Sequence, residues 1–392
     1  RDLAMARRAD HAGPRQRTRG ADRHGARRRA EAVHGAAVPA VHHLDALVLA
    51  ASLPPGSAHL LWCDIPYHGA IDAAWDNQWP TDAAFLAWVG EQCAAWRRVL
   101  ATNGSLYVFC SPAMSWAVEG VVREWFEVLT NIRWSKPAHS TKAEMFVKED
   151  LRSPFPASET ILFCEQRGAD SVALNRSGYA AKCDEARGFV FEPLRAYFDG
   201  ERKRSGLSSA QIQGGMHKRT GVRYTFDRHT FSRSQWEMPT PEQFAAARDL
   251  FDAEGAAEGR PYLRADYEAL RADYEALRRP FFAVPERPYT DTGTFPTVQS
   301  YEGKHPCEKP PEMCRHALLT STRPGDTVVD LYCGSGIMLA EAVALNRVAI
   351  GGDAAKEWAD AAERRCEMAR ATGRTATRKM GEKVAANQGR LF

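Results

Sequence analysis

Four consecutive residues, Asp64-Ile65-Pro66-Tyr67, combine the groups needed to hold a planar amino group. A carboxylate and a backbone carbonyl can accept its two N–H hydrogens, a proline stiffens the turn, and an aromatic ring can stack on the base that carries the amine. That chemistry belongs to a nucleobase. Such an amine is a poor nucleophile because its lone pair is delocalised into the ring. Acceptors on both hydrogens, the Asp64 carboxylate and the Ile65 carbonyl, favour the pyramidal geometry in which the lone pair can attack. Asp64 would position and stabilise more than act as a strong base, since a carboxylate near its ordinary pKa is weakly basic. The tetrapeptide also reads as an ordinary strand-to-loop stop after the apolar run Leu60-Leu61-Trp62-Cys63, so a second motif has to decide.

That motif is Val328-Val329-Asp330-Leu331-Tyr332-Cys333-Gly334-Ser335-Gly336, followed by the helix-like Ile337–Val343. A β-branched run that stops at Gly-x-Gly and opens a helix is the strand–turn–helix of a doubly wound α/β sheet. Asp353 ends the next strand, Val348–Gly352, where an acid can accept hydrogen bonds from ribose hydroxyls. The third glycine of a dinucleotide fingerprint is missing, and Ile337-Met338 stands where a pyrophosphate would need an open helix N-terminus. An adenosine ligand without phosphates is favoured, and S-adenosylmethionine fits.

With these motifs in place, the chain resembles the amino-methyltransferases of DNA, of the group in which the catalytic motif precedes the cofactor motif. In that family [Asp/Asn/Ser]-Pro-Pro-Tyr is catalytic, matched here by Asp64, Ile65, Pro66 and Tyr67, and Phe/Tyr-x-Gly-x-Gly binds the cofactor, matched by Tyr332–Gly336. A third element, His-Pro-x-Glu-Lys-Pro, is present as His305–Pro310. The resemblance covers about residues 40–165 and 300–372, with weaker likeness between them to methylases of phage and prophage genomes. One residue departs from the pattern: Ile65 replaces the first proline but keeps the carbonyl that the family uses, and Pro66 still biases it away from the helical region.

The resemblance implies a Rossmann-like methyltransferase fold and S-adenosylmethionine as cofactor. The expected cofactor contacts are Asp45, His305, Lys309, Asp330, Tyr332, Gly334, Ser335, Gly336 and Asp353, with no metal. For Asp45 a helix N-cap before Ala46-Leu47 is an equal alternative. Double-stranded DNA is the implied partner, in the cytoplasm of a bacterial or phage-infected cell, as for restriction-modification enzymes. Asp64 tilts the target towards adenine N6, because the family often places Ser first in cytosine-N4 enzymes. Cytosine N4 is the alternative, with RNA as a third substrate and a catalytically silent DNA-binding protein as the reading from another class.

The elements that must position these motifs follow from periodicity. A strand at 41–45, a helix at 46–53, the catalytic strand, a helix at 82–100, a turn at Asn103-Gly104 and a strand at 105–110 come first. A helix at 114–125 and strands at 128–134 and 160–164 follow, the last closing this half of the sheet. The helix 311–321, the cofactor strand and the helix 357–371 complete a mainly parallel sheet. The expected organisation is a catalytic domain from 41–165 and 301–376, an inserted, mostly helical target-recognition region at 166–300, and a tail at 377–392.

The insertion has no strand–helix alternation. Residues 201–233 carry eight Lys/Arg against two acids, interleaved with aromatics, and suggest DNA contacts by Arg202, Lys203, Arg204, Lys218, Arg219 and Arg223. A solvated basic face is the competing reading. Segments 194–204 and 208–213 resemble a helix–turn–helix lead ended by Gly214-Gly215. The repeat Leu-Arg-Ala-Asp-Tyr-Glu-Ala at 263–269 and 270–276 puts one apolar seam on a helix, read as a strut packed on its own domain in preference to a homodimer arm.

At 392 residues and 44% hydrophobic content the chain can fill a sizeable core, and its longest apolar runs fall short of a membrane span. Nine cysteines without a CxxC pair read as small hydrophobes in a reducing compartment, not as zinc ligands. The net charge of +3 hides an asymmetry: residues 1–40 hold ten arginines against four acids, +6, which leaves −3 for the rest. That head has no apolar periodicity and is expected to be disordered. Three readings compete for it: an upstream or misassigned start, preferred because the chain does not open on Met, a DNA-tethering arm, and a targeting peptide.

Overall fold

The computed structural model describes residues 40–137, 152, 154, 156–167, 191–221, 226–232, 236–282 and 290–375, which belong to one compact unit, Val38–Phe392. The Arg-rich head to residue 39, the tail from 376, and Cys183, Arg223, Tyr224 and Arg233 lie outside the described residues. In chain order the strands are β1 Ala40–His43, β2 Ala58–Asp64, β3 Leu100–Cys110, β4 Phe126–Ser135, β5 Ser158–Gln166, β6 Thr292–Thr294, β7 Thr327–Asp330 and β8 Val348–Asp353. The helices are α1 Ala46–Ser52, α2 Asp82–Val99, α3 Ser115–Trp125, α4 Glu192–Ser205, α5 Ser209–Thr220, α6 Phe226–Phe231, α7 Pro241–Glu254, α8 Tyr267–Leu277, α9 Pro311–Ser321, α10 Ile337–Ala344 and α11 Lys356–Thr372.

The strands form one sheet in the order β1-β8-β7-β2-β3-β5-β4-β6. All neighbours are parallel except for β5, which runs antiparallel to both β3 and β4. Because side chains alternate across a strand, Leu61, Cys63, Leu106 and Val108 face one core with α1, α2 and α3, while Leu60, Trp62, Tyr107 and Phe109 face another with α9, α10 and α11. This is the expected doubly wound α/β sheet. From β2 the chain steps to β3, and from β7 it steps the other way to β8. The order therefore switches between β7 and β2, where a crevice opens beyond the strand C-termini.

Five local expectations are corrected. Asn103-Gly104 is no turn but part of β3, in an irregularity where Ala58 pairs with Leu100 and Leu60 already with Ser105. A Cβ on Gly104 would lie 2.7 Å from Leu100 Cδ1 and 2.9 Å from the Ala58 carbonyl, so close approach explains the glycine. Strand β5 does not close the sheet; it inserts between β3 and β4, which apolar content alone cannot reveal. Residues 292–294, placed in the insertion by the sequence, form the edge strand β6.

Gly214-Gly215 does not end a helix, for α5 runs to Thr220 and is stopped by left-handed Gly221. Gly215 is small because a Cβ there would meet Leu250 of α7 at 2.4 Å. Finally, only part of the repeat is helical: α8 starts at Tyr267, capped by Asp266, while Leu263 adopts a left-handed φ of 49° and is buried apart from it. The Leu263 N–H is taken by Glu201 Oε2 at 2.5 Å, a tertiary contact that outweighs helix periodicity. The seam Tyr267, Leu270, Tyr274 and Leu277 packs on a third core made by α4–α8.

Candidate active site

A cleft of about 970 Å³ opens at the strand C-termini, lined by Asp64–Tyr67 from the end of β2, Leu331–Tyr332 and Gly334 after β7, Asp353 of β8 and His305–Lys309 ahead of α9. Both motifs therefore reach one cavity. Ile65 is 2% exposed, its side chain packed in the core with Phe85 and Val89, which accounts for an apolar residue in place of proline.

Asp64 sits in a ring of charges. Lys309 Nζ lies 2.6 Å from Asp64 Oδ1 and 3.5 Å from Glu159 Oε2; the Tyr67 hydroxyl donates to Glu159 Oε2 and, at 3.4 Å, to Asp64 Oδ1; Lys136 Nζ donates to Glu159 Oε1 at 2.5 Å. The Lys309 ammonium also lies 5.0–5.9 Å from the ring centres of Phe109, Tyr67 and Trp134. Burial raises the Asp64 pKa, with Lys309 opposing. Burial also opposes charge on Lys309 and Glu159, but their partners win: Asp64 and Glu159 hold Lys309 above its usual range, and Lys309 with Lys136 holds Glu159 below its own. Lys309, expected on the cofactor, thus sits on the Asp64 carboxylate. Its location follows from the loop that carries it, because neighbouring Glu308 is locked by Arg365 at 3.0 Å and by the Tyr301 hydroxyl at 2.5 Å.

The segment after Tyr67 is held by a residue that the motifs did not single out. Asp76, 1% exposed, accepts from the backbone N–H of Tyr67 (2.6 Å) and His68 (3.1 Å) at Oδ1 and of Ala70 (2.6 Å) and Ile71 (3.0 Å) at Oδ2. One carboxylate thereby fixes the wall that carries Tyr67, while Trp75 and Trp88 also line the cleft.

At the other end, Asp353 accepts from Gly334 N–H at 3.0 Å and Ala355 N–H at 2.8 Å, tying β8 to the glycine turn; burial raises its pKa. Gly334 has φ 45°, and a Cβ there would lie 3.2 Å from the His305 ring, which is neutral because burial, helped by Lys309 and Lys304, pushes its pKa down to about 4. Gly336 is explained by packing: it has φ 71°, and its Cβ would meet Ala362 of α11 at 2.5 Å. Ser335 is buried and Asp330 accepts from Tyr332 N–H at 3.2 Å, burial raising the Asp330 pKa strongly. The Tyr332 hydroxyl turns into the core and donates to Gln92 Oε1 at 2.7 Å. Asp45 caps α1 through Leu47 N–H at 2.9 Å, as the N-cap reading expects, and also lines the cleft. Ile337 and Met338 are buried in the core, leaving no open helix N-terminus for a phosphate.

A family described as DNA methylase matches residues 58–364, well over half of the chain. The chain belongs to the N6/N4 DNA methylase family. It is 40% identical over 70 residues to type II methyltransferase M2.DpnII of Streptococcus pneumoniae and 36% identical over 67 residues to type II methyltransferase M2.LlaDCHI of Lactococcus lactis subsp. cremoris. These matches take in 18% and 17% of this chain and only about a quarter of each relative, 26% and 25%. Among solved structures, the M1.HpyAVI–SAM complex aligns at 14% identity and TM-score 0.42 over 83% of this chain and 97% of that one. The cytosine-N4-specific PvuII DNA methyltransferase aligns at 13% identity and TM-score 0.44 over 83% and 85%.

In this family member the described basic candidates of the insertion, Arg202, Lys203, Arg204, Lys218 and Arg219, do not line the cleft. Arg202 and Lys203 pair with Asp199 at 2.7 and 2.8 Å, and Arg219 pairs with Glu254 at 3.3 Å. Arg204 pairs with Glu201, donates to the Gly259 and Pro261 carbonyls and lies over the face of Tyr262. Lys218 is exposed on α5. Among the described residues the lysines lining the cleft are Lys136, Lys304 and Lys309, spread too widely in sequence to register as a cluster. Of the eight described cysteines seven are buried, and Cys307, at the cleft, has its thiol pushed up to about 11 by burial. No described helix is long and apolar enough to cross a membrane.

Proposed function

We propose that the chain transfers a methyl group from S-adenosylmethionine to an exocyclic amino group of DNA, adenine N6 in the leading reading. The observation that carries this is a single cleft holding the Asp64–Tyr67 wall at one end and the Gly334 turn, His305 and Asp353 at the other. The second end fits the cofactor: Asp353 offers carboxylate lone pairs to ribose hydroxyls, Trp75 and Trp358 offer aromatic surface, and the buried start of α10 leaves no seat for phosphates. When bound, the cofactor supplies an electrophilic methyl. Asp64 and the Ile65 carbonyl take the two amine hydrogens, and Tyr67 stacks on the extruded base, offsetting part of the few kcal/mol of unstacking. Adenine is favoured over cytosine N4 by Asp64 at the first motif position.

Labelled methyl from S-adenosylmethionine should enter duplex DNA, and modification-sensitive sequencing of DNA from an expressing host should find N6-methyladenine at one sequence. Methyl on cytosine N4 would replace the leading base. No incorporation into DNA would leave the silent DNA-binding reading.

We further propose that the exposed face of α5 contributes phosphate contacts. Replacing Lys218 and Arg219 by Ala is expected to lower the salt slope of DNA binding by roughly 1–2, one released counterion per lost contact, with S-adenosylmethionine affinity constant. An unchanged slope removes both residues from the contact surface.

A further inference from the structure

The charge ring around Asp64 contains more than the amine-binding motif requires. Among the described residues the hydrogen bonds and ion pairs of Asp64 fall on one oxygen, Oδ1, shared by Lys309 and Tyr67. Both of those partners also contact Glu159, on a strand from the other side of the cleft, and Lys136 holds the second oxygen of Glu159. Two carboxylates and two ammonium groups thus form one neutral, half- to fully buried assembly, the arrangement in which buried charges persist.

We propose that Glu159 and Lys309 are positioning residues for Asp64: Lys309 holds Oδ1, Glu159 holds Lys309 and Tyr67, and Oδ2 is left ionised and open to the target amine. The inference rests on the methyl-transfer reading for the identity of the amine, but the charge arrangement stands on its own geometry. A lone Lys309 bound to Asp64 would be free to straddle both oxygens. With Glu159 3.5 Å away, and the rings of Tyr67, Phe109 and Trp134 around it, the ammonium is drawn to the Glu159 side. Glu159 likewise keeps the Tyr67 hydroxyl, so the ring that would stack on the base is anchored at its far end.

Other groups that interact electrostatically with Asp64 are Asp330 from β7 and the thiols of Cys63, Cys307 and Cys314, the Cys63 thiol from the opposite face of β2. Burial keeps those thiols neutral and raises Asp330, so Lys309 is the cation and Glu159 the anion that set the charge of Asp64.

The two residues act on Asp64 with opposite sign. Removing Lys309 withdraws the cation that favours the carboxylate, so Asp64 should take a proton at higher pH; removing the Glu159 charge withdraws an anion that repels it, so protonation should move lower. The test is a pH titration of the full chain labelled with carboxyl-13C aspartate, the Asp64 signal being assigned by its loss in Asp64→Asn. In Lys309→Met the midpoint should rise by roughly one to three pH units, and in the isosteric Glu159→Gln it should fall. The acid limb of single-turnover methyl transfer should move in the same two directions. Turnover of Glu159→Gln should drop roughly tenfold to a hundredfold through displaced Tyr67 and Lys309, with S-adenosylmethionine affinity unchanged. Midpoints that stay in place, or move the same way in both variants, overturn the proposal. Opposite movement in the two variants, with a wild-type chain that transfers no methyl to DNA, upholds the charge assembly and overturns the reading of the target instead.

Discussion

Asp64→Ala is expected to cut methyl transfer by roughly two or more orders of magnitude, the scale of losing one preorganised contact to a developing charge. The substitution removes the acceptor for one amine hydrogen. It also leaves Lys309, 4% exposed, with Glu159 as its one ion-pair partner among the described residues. Cofactor affinity should change little, because Asp353, His305 and the Gly334 turn belong to the other end of the cleft. Single-turnover kinetics with labelled S-adenosylmethionine, paired with calorimetry of cofactor binding, checks both halves. Transfer near the wild-type rate would remove Asp64 from the chemistry, and a parallel loss of cofactor binding would place it on the wrong ligand.

Asp76→Asn should be nearly as damaging, because the Asp76 carboxylate holds the backbone that carries Tyr67. Turning one carboxylate oxygen into an NH2 group points a donor at two backbone N–H groups that were satisfied, at 2.6–3.1 Å on one oxygen or 2.6–3.0 Å on the other. Each buried donor left unpaired costs about 1–3 kcal/mol, so a loss of about 2–6 kcal/mol in stability is expected from denaturant unfolding. The loop that moves carries Tyr67, and a displacement of roughly 1 Å is enough for about a hundredfold loss of rate. An Asn variant with unchanged midpoint and turnover would show that the loop is held by other means.

Much of the catalytic scaffold was legible in the sequence because its signals are local. Asp64–Tyr67 and Gly334–Gly336 each announce a strand end followed by a turn, and β-branched runs alternating with amphipathic stretches announce the parallel sheet. What escaped was set by distant partners. Glu159 looks like any acid at the start of a strand until β5 is seen to run antiparallel beside β3, which brings it to the mouth of the cleft. Asp76 lies in an irregular loop and draws its meaning from the N–H groups of residues 67–71. Lys309 was read with the cofactor, yet its partner is a carboxylate 245 positions earlier in the chain. Gly215 and Gly104 suggested turns, whereas a leucine facing each of them required the absence of a side chain.

The helices of the insertion are fastened at the far end of the sheet from the cleft. Asn103 Nδ2 donates to the Ala276 carbonyl at 3.3 Å, Arg323 to the carbonyls of Glu275 and Arg278, Arg279 pairs with Glu165 at 2.8 Å, and Phe282 N–H meets the Thr320 carbonyl at 2.8 Å. All of these anchors lie by the strand ends opposite Asp64. Strand β2 spans seven residues between the two levels, roughly 23 Å at about 3.3 Å per residue. The tethers that hold the insertion are thus separated from the groups around Asp64 by about the length of that strand.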